Sequence, residues 1–272
     1  DIVTGTTNSS YTIFDKVPPS DFTVQDVITV GENSIANAWN STNSAININI
    51  PVSDDESLDS GRVQIIAKVA NNDFENLDSY HFFQSSDLNN SKIVSVSESL
   101  VESISGFSEN DPITISAIIY DVPGNMTIGS ESNTKLVINQ SIPIIINSNI
   151  ESDFSDSSLA GVDNIITLIF ETDTEIIIPS VTISGQEAII VNLGDNEWQA
   201  SYTMQSSDED GIIPFVIDFM DVYGNPNSVI NSTEDGTSVT FDNSKPSLSF
   251  VSIKSSNQDT TFAKVGDTIT II

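Results

Sequence analysis

The chain has 272 residues, 38% of them apolar, and carries 39 acids against 8 bases for a net charge of −31 at pH 7. That is length and apolar content enough for two ordinary cored domains, and too few bases for nucleic acid or an anionic membrane surface as partner. There is no cysteine, so disulfides, thiol catalysis and cysteine-ligated zinc are excluded together.

No apolar run approaches the length of a membrane span. The first residues, Asp1-Ile-Val-Thr-Gly5, lack the basic and apolar regions of a secretory leader. With no initiating Met, the sequence is expected to be a window on a longer chain.

Taken in order, every strong signal is β. Asp1-Ile-Val3, a polar stretch, Tyr11-Thr-Ile-Phe14 and then Pro18 predict the last strand of a preceding domain over residues 1–18. A domain at 19–143 follows. In it Ala45-Ile-Asn-Ile-Asn-Ile50 alternates strictly, with Ile46, Ile48 and Ile50 on one face. Residues 97–104 could form one or two helical turns. A second domain spans 144–246, with the same alternation in Trp198-Gln-Ala-Ser-Tyr-Thr-Met204 and Phe215-Val-Ile-Asp-Phe219. Period 2 with one polar face marks antiparallel sheets packed on one side. Asp59-Ser-Gly61, Ser184-Gly185, Leu193-Gly-Asp-Asn196 and Asp208-Glu-Asp-Gly211 read as the turns between strands. Residues 247–272 predict the first strands of a following domain.

The domains repeat. Residues 141–169 align without a gap on 244–272, at a constant offset of 103 (246 less 143): Pro143 with Pro246, Ile150 with Ile253, Asp156 with Asp259, Ala160 with Ala263. Ile118-Ile-Tyr-Asp-Val-Pro-Gly-Asn125 likewise matches Asp218-Phe-Met-Asp-Val-Tyr-Gly-Asn225. Each is followed by a polar stretch, a short apolar strand (Lys135-Leu-Val-Ile138 or Ser238-Val-Thr-Phe241) and a proline. About seven short strands in roughly 100 residues predict tandem immunoglobulin-like antiparallel β-sandwiches.

On these residues the chain resembles the tandem immunoglobulin-like repeats of very large bacterial and archaeal cell-surface proteins, adhesins and S-layer proteins among them. The marks are Asp-Val-x-Gly-Asn at 121–125 and 221–225, Val239-Thr-Phe-Asp242 before Pro246, Ala263-Lys-Val-Gly-Asp-Thr-Ile-Thr270, and Phe22-Thr-Val24 with Trp39-Asn-Ser-Thr-Asn43 in the first domain. The resemblance implies an extracellular, cell-surface role without catalysis. The segment would form a rod, an S-layer lattice or a fibre, by self-association or through neighbouring domains of the same chain. The alternative is an adhesin module that binds a glycan or a protein.

The search for chemistry returns little. His81, the only histidine, sits in Tyr80-His-Phe-Phe83 with no nucleophile turn nearby, and reads as a structural residue. No phosphate-binding glycine motif is present. Acid pairs such as Asp54-Asp55 read as solvated loops. Trp39 is either a stacking platform for sugar or a loop anchor between the sheets, the commoner role; Trp198 alternates as a core residue.

The Asp-Val-x-Gly-Asn motif has two readings. One is a turn, with Gly124 and Gly224 at positive φ and Asp121 and Asp221 capping backbone amides. The other adds Ca²⁺, a hard cation that takes six to eight oxygens. Its candidate ligands are Asp121 and Asn125 at the first turn, Asp221, Asn225 and Asp242 at the second, Asp153 and Asp156 in an opening loop, and Asp259 in the next one. Six N-x-[ST] sequons, at Asn8, Asn40, Asn89, Asn125, Asn139 and Asn231, permit glycosylation.

Overall fold

The computed structural model describes residues 2–4 and 11–272, with side chains from residue 14 onward. The sequon at Asn8 and the polar stretch around it lie outside the described residues. Strands Ile2–Thr4 and Tyr11–Ile13 pair antiparallel.

Two sheets form the first sandwich. One is antiparallel, in the order Val27–Gly31, Asn43–Val52, Asn90–Ser97. The other runs Ala38–Trp39, Lys135–Ile138, Pro112–Tyr120, Arg62–Val69, Glu75–Asn76. Met126–Ile128 also pairs with Pro112–Tyr120, and His81–Phe82 with Arg62–Val69. Alternation decides what enters the core. Ile46, Ile48 and Ile50 are fully buried, as are Val63, Ile65, Ala67, Ile113, Ile115 and Ala117 of the facing sheet. The helical signal survives as one turn, Glu98–Val101. Trp39 is the anchor: it is fully buried, and its Nε1 donates to Glu102 Oε1 at 3.3 Å.

In the second sandwich the strands Ile145–Ser152, Ile165–Thr172, Glu197–Thr203 and Ile189–Gly194 lie in that order in one sheet. This is the ABED sheet of an immunoglobulin-type sandwich. The facing layer divides into two ribbons. Leu159–Ala160, Thr240–Phe241 and Gly211–Ile212 form one; Gln186–Glu187, Ser180–Ile183 and Phe215–Asp218 form the other. The break falls at Pro214, which has no N–H to give a ladder. Trp198 is in the core with Phe170 and Ile217. Buried apolar residues form two separate clusters, spanning residues 24–138 and 145–241.

Both sandwiches share a less common pairing. The short strand before the second long strand runs parallel to the closing strand, Trp39 beside Ile138 and Ala160 beside Phe241. Beyond the second sandwich, Ile253–Ser255 pairs with Ile269–Ile271, and Leu248 and Phe250 stand exposed. The predicted turns have the backbone they need: Ser60, Ser184, Gly185, Gly194 and Gly211 all have positive φ.

Candidate functional site

The repeated motif closes on itself. Asp221 Oδ1 accepts from the Tyr223 amide at 2.9 Å and the Asn225 amide at 2.8 Å, and Oδ2 accepts from Asn225 Nδ2 at 2.8 Å. In the first sandwich Asp121 Oδ1 accepts from the Gly124 and Asn125 amides at 2.7 Å, and Oδ2 from Asn125 Nδ2 at 2.8 Å. Both aspartates are buried. A buried carboxylate is tolerated only when donors surround it, and here its own turn supplies three. Gly124 and Gly224 take the positive φ that turns the chain, at 103° and 91°.

The second turn is also a plug. Asn225 Nδ2 donates to the carbonyl of Asn139 at 3.1 Å and to its side-chain oxygen at 2.8 Å, both in the segment leaving the first sandwich. The amide of Ser41 donates to Asn225 Oδ1 at 2.8 Å. Asn40 Nδ2 bridges Tyr223 O at 2.7 Å and Asn33 O at 2.8 Å. Both Asn40 and Asn225 are fully buried by this contact. A Cβ on Gly224 would lie 2.4 Å from Asn33 O, so the close approach of the two backbones requires glycine. One of these bonds has a counterpart at the first turn: Asn125 Nδ2 points to the carbonyl of Asp15 at 3.5 Å, and Asp15 follows the strand Tyr11–Ile13 as Asn139 follows Lys135–Ile138.

The calcium candidates sit as follows. Asp121 meets Asn125, and Asp221 meets Asn225, but through N–H donors. Asp153 Oδ1 accepts from Asn164 Nδ2 and the Ile165 amide; Asp242 Oδ1 accepts from the Ser244 amide. Asp156 and Asp259 each accept an amide and a hydroxyl, from Ser158 and Thr261. The hydroxyl first, then the amide, holds each of these two carboxyls below its ordinary range. Among the described residues no three His, Asp or Glu side chains converge where a metal ion could bind. Calcium takes six to eight oxygens, Asn and carbonyl oxygens among them, and at these turns each carboxylate already accepts N–H or O–H donors of its own loop.

Three sequons bear on the junctions. Asn40 and Asn139 lie in the bonds just described, and the Asn125 amide nitrogen is bonded to Asp121. A glycan on Asn40 would have to break the plug. His81 pairs with Asp78 at 3.0 Å. A shallow cleft of about 240 Å³, lined by Pro19, Phe22, Pro51 and Leu58, offers Asp21 as its sole titratable group.

Two features escaped the sequence reading. Asn33, Asn40 and Ser41 as receivers of the plug left one clue, the unusual Asn-Ser-Thr-Asn run after Trp39. The surroundings of Arg62, treated below, left another, its being the only arginine.

No protein-family model matches the chain, and no curated protein sequence matches it. Among solved structures it is similar to one concerned with host cell surface retention of a 1.5-MDa bacterial ice-binding adhesin, at 16% identity and a TM-score of 0.41, covering 88% of this chain and 69% of that one. It is similar also to fibronectin(III)-like modules of Clostridium thermocellum CbhA, at 10% identity and a TM-score of 0.36, covering 80% of this chain and 94% of that one. A chicken TCR follows at 8% identity and a TM-score of 0.26, covering 81% of this chain and 100% of that one. These likenesses are too distant to carry an argument about role.

Proposed function

We propose that the chain is a non-catalytic structural segment of a large modular extracellular surface protein, in which stacked sandwiches build a rod, a lattice or a fibre. The observation that supports this best is the plug: the Asp221–Asn225 turn seats in the Asn40–Ser41 loop and against Asn139, with its counterpart at Asn125 and Asp15. A buried, backbone-directed bond set at the junction, one bond of which has a counterpart at Asn125 and Asp15, fixes an angle between domains. Flexibly linked domains have no need of it. At roughly 40 Å per sandwich, two of them reach about 80 Å.

The test uses the absence of native cysteine. Spin labels on Asp73→Cys and Glu187→Cys, both exposed, report the distance between sandwiches. The expected result is one narrow distribution, broadened when Asn40→Ala and Asn225→Ala are combined. A broad distribution in the parent chain would overturn the reading. The alternative of an adhesin module draws on a different surface.

A further inference from the structure

Arg62 opens the strand Arg62–Val69 and is the only arginine among 272 residues. Among the described residues two of the lysines pair with carboxylates, Lys68 with Glu131 at 2.8 Å and Lys92 with Asp87 at 3.2 Å. Arg62 does not. Among the described residues no carboxylate lies within 4.0 Å of it. Its guanidinium sits instead 4.8 Å from the ring centre of Tyr80 and 4.6 Å from that of Tyr120. The two rings stand edge to face, 5.8 Å apart at 87°. Asp78, two residues before Tyr80, is already engaged by His81 and the Ser79 amide.

The group belongs to a row. Strand register places Phe82 beside Arg62, Arg62 beside Tyr120, and Tyr120 beside Met126. Four neighbouring strands therefore align these side chains across the outer face, over about 14 Å. Phe82 is 63% exposed, Met126 51% and Tyr80 46%. Such exposure of large side chains side by side, around one half-buried cation, is what core packing does not need.

A planar guanidinium with a free fork of N–H donors matches a carboxylate in two parallel bonds. Its seat between two rings fixes it beforehand, so little side-chain freedom is lost on pairing. The partner must bring its own carboxylate, because no side chain of this sheet supplies one. It must also present an apolar face to the rings. The row crosses the sheet instead of following an open edge, so an added peptide strand has no backbone groups to pair with here. A pyranose ring offers an apolar C–H face and a polar rim, and a uronic- or sialic-type sugar adds the carboxylate. We propose that Arg62, Tyr80, Tyr120 and Phe82 form a binding site for an acidic glycan, about three sugar units long. This is independent of the plug and of the rod reading.

The experiment is calorimetric titration of the full chain at physiological salt, where repulsion from its net charge is screened beyond about 8 Å. The probes are tri-galacturonate and 3′-sialyllactose, each beside its neutral counterpart, the methyl-esterified trisaccharide and lactose. A Glu-rich peptide is the third arm. One or both acidic sugars are expected to bind, the better one naming the carboxylate source, with the neutral forms about 10-fold weaker or worse. Arg62→Gln should lose the same factor, and Tyr80→Ala should weaken binding with an unchanged melting midpoint. Arg62→Lys, which keeps the charge but not the fork, should fall between. The proposal is overturned if neither acidic sugar binds, if the neutral forms or Arg62→Gln bind equally well, or if the peptide binds and the sugars do not.

Discussion

In the first sandwich the short parallel strand supplies the bulk beside the closing strand, Trp39 against Ile138. In the second the closing strand supplies it, Phe241 against Ala160. One large and one smaller side chain fill the same place from opposite sides. The outer faces show no such exchange. Tyr120 precedes the first Asp-Val-x-Gly-Asn turn and stands in a row with Arg62, Phe82 and Met126; Met220 precedes the second, bridges to Pro226 and accepts from the Ile177 amide at 3.0 Å, next to the exposed Ile178. Both repeats keep a large buried aromatic at this place, from one strand or the other, because interiors are close-packed. The face answers to solvent or to a ligand and is free to differ. On the function proposed above, the second sandwich would be a spacer and the first a spacer with a surface of its own.

The largest effect should come from breaking the core exchange. Trp39→Ala removes the biggest fully buried side chain and leaves a cavity, at a cost of about 3–5 kcal/mol. Scanning calorimetry should show the first sandwich melting far earlier while the second keeps its transition. A joint fall of both would mean that the two cores fold as one unit. Ala160→Trp, the reciprocal change, adds bulk against Phe241 and should cost the second sandwich about 1–3 kcal/mol.

The two turn glycines sharpen the comparison next. Both have positive φ, so alanine at either strains the backbone by about 1 kcal/mol. At Gly124 nothing stands within 4 Å of the added methyl, while at Gly224 it would meet Asn33 O, Asn40 Nδ2 and Ile35 Cγ1 inside 3 Å. Gly224→Ala should therefore loosen the junction, broadening the spin-label distances, and Gly124→Ala should leave them alone. Equal behaviour of the two variants would remove Gly224 from the junction.

How far the sequence foretold this depends on whether a feature is local. Ile46, Ile48 and Ile50 announced a half-buried strand because period 2 is written in adjacent residues, and all three are buried. The turns were legible for the same reason, down to the positive φ at Gly124 and Gly224. Trp39 had two readings, and its complete burial decides for the anchor over the exposed sugar platform. What stayed hidden depends on residues far apart in sequence. The bond from Asn40 to Tyr223 spans 183 positions. The row from Phe82 to Met126 exists only through the register of four strands. The acid-rich turns suggested calcium through residue type, which a sequence shows; the N–H donors that these carboxylates accept show only in the fold.

Calcium offers the next test. Asp121, Asp221, Asp153 and Asp242 already accept N–H donors in their own turns. Melting in calcium and in chelator should then differ by less than the roughly 4 °C that 1 kcal/mol gives a domain of this size. Binding to the folded state at one hundred times its dissociation constant would give about 2.7 kcal/mol. A rise of that order, lost in Asp221→Asn, would restore the cation to the junction.

The smallest effect concerns Asp156 and Asp259, equivalent residues in unlike surroundings. Asp156 belongs to the complete second sandwich, and Asp259 to the hairpin segment beyond it. Each accepts a hydroxyl at 2.7 Å and an amide at 3.1 Å from the residue two positions on. These bonds favour the charged carboxylate and lower its pKa in the folded chain, the hydroxyl most. A lowered folded pKa makes stability fully present above the unfolded value, near pH 4, and lost as pH falls through the folded value. Both groups are fully exposed, so the effect is to be read as titration and not as melting. Carbon-detected NMR titration should place both below an ordinary aspartate. Ser158→Ala should raise Asp156 alone, and Thr261→Ala should raise Asp259 alone. The cause is a loop of three residues, so the shift should be the same whether or not a sandwich stands behind it. An ordinary titration at Asp259 beside a lowered one at Asp156 would show that the turn needs the folded sandwich to form.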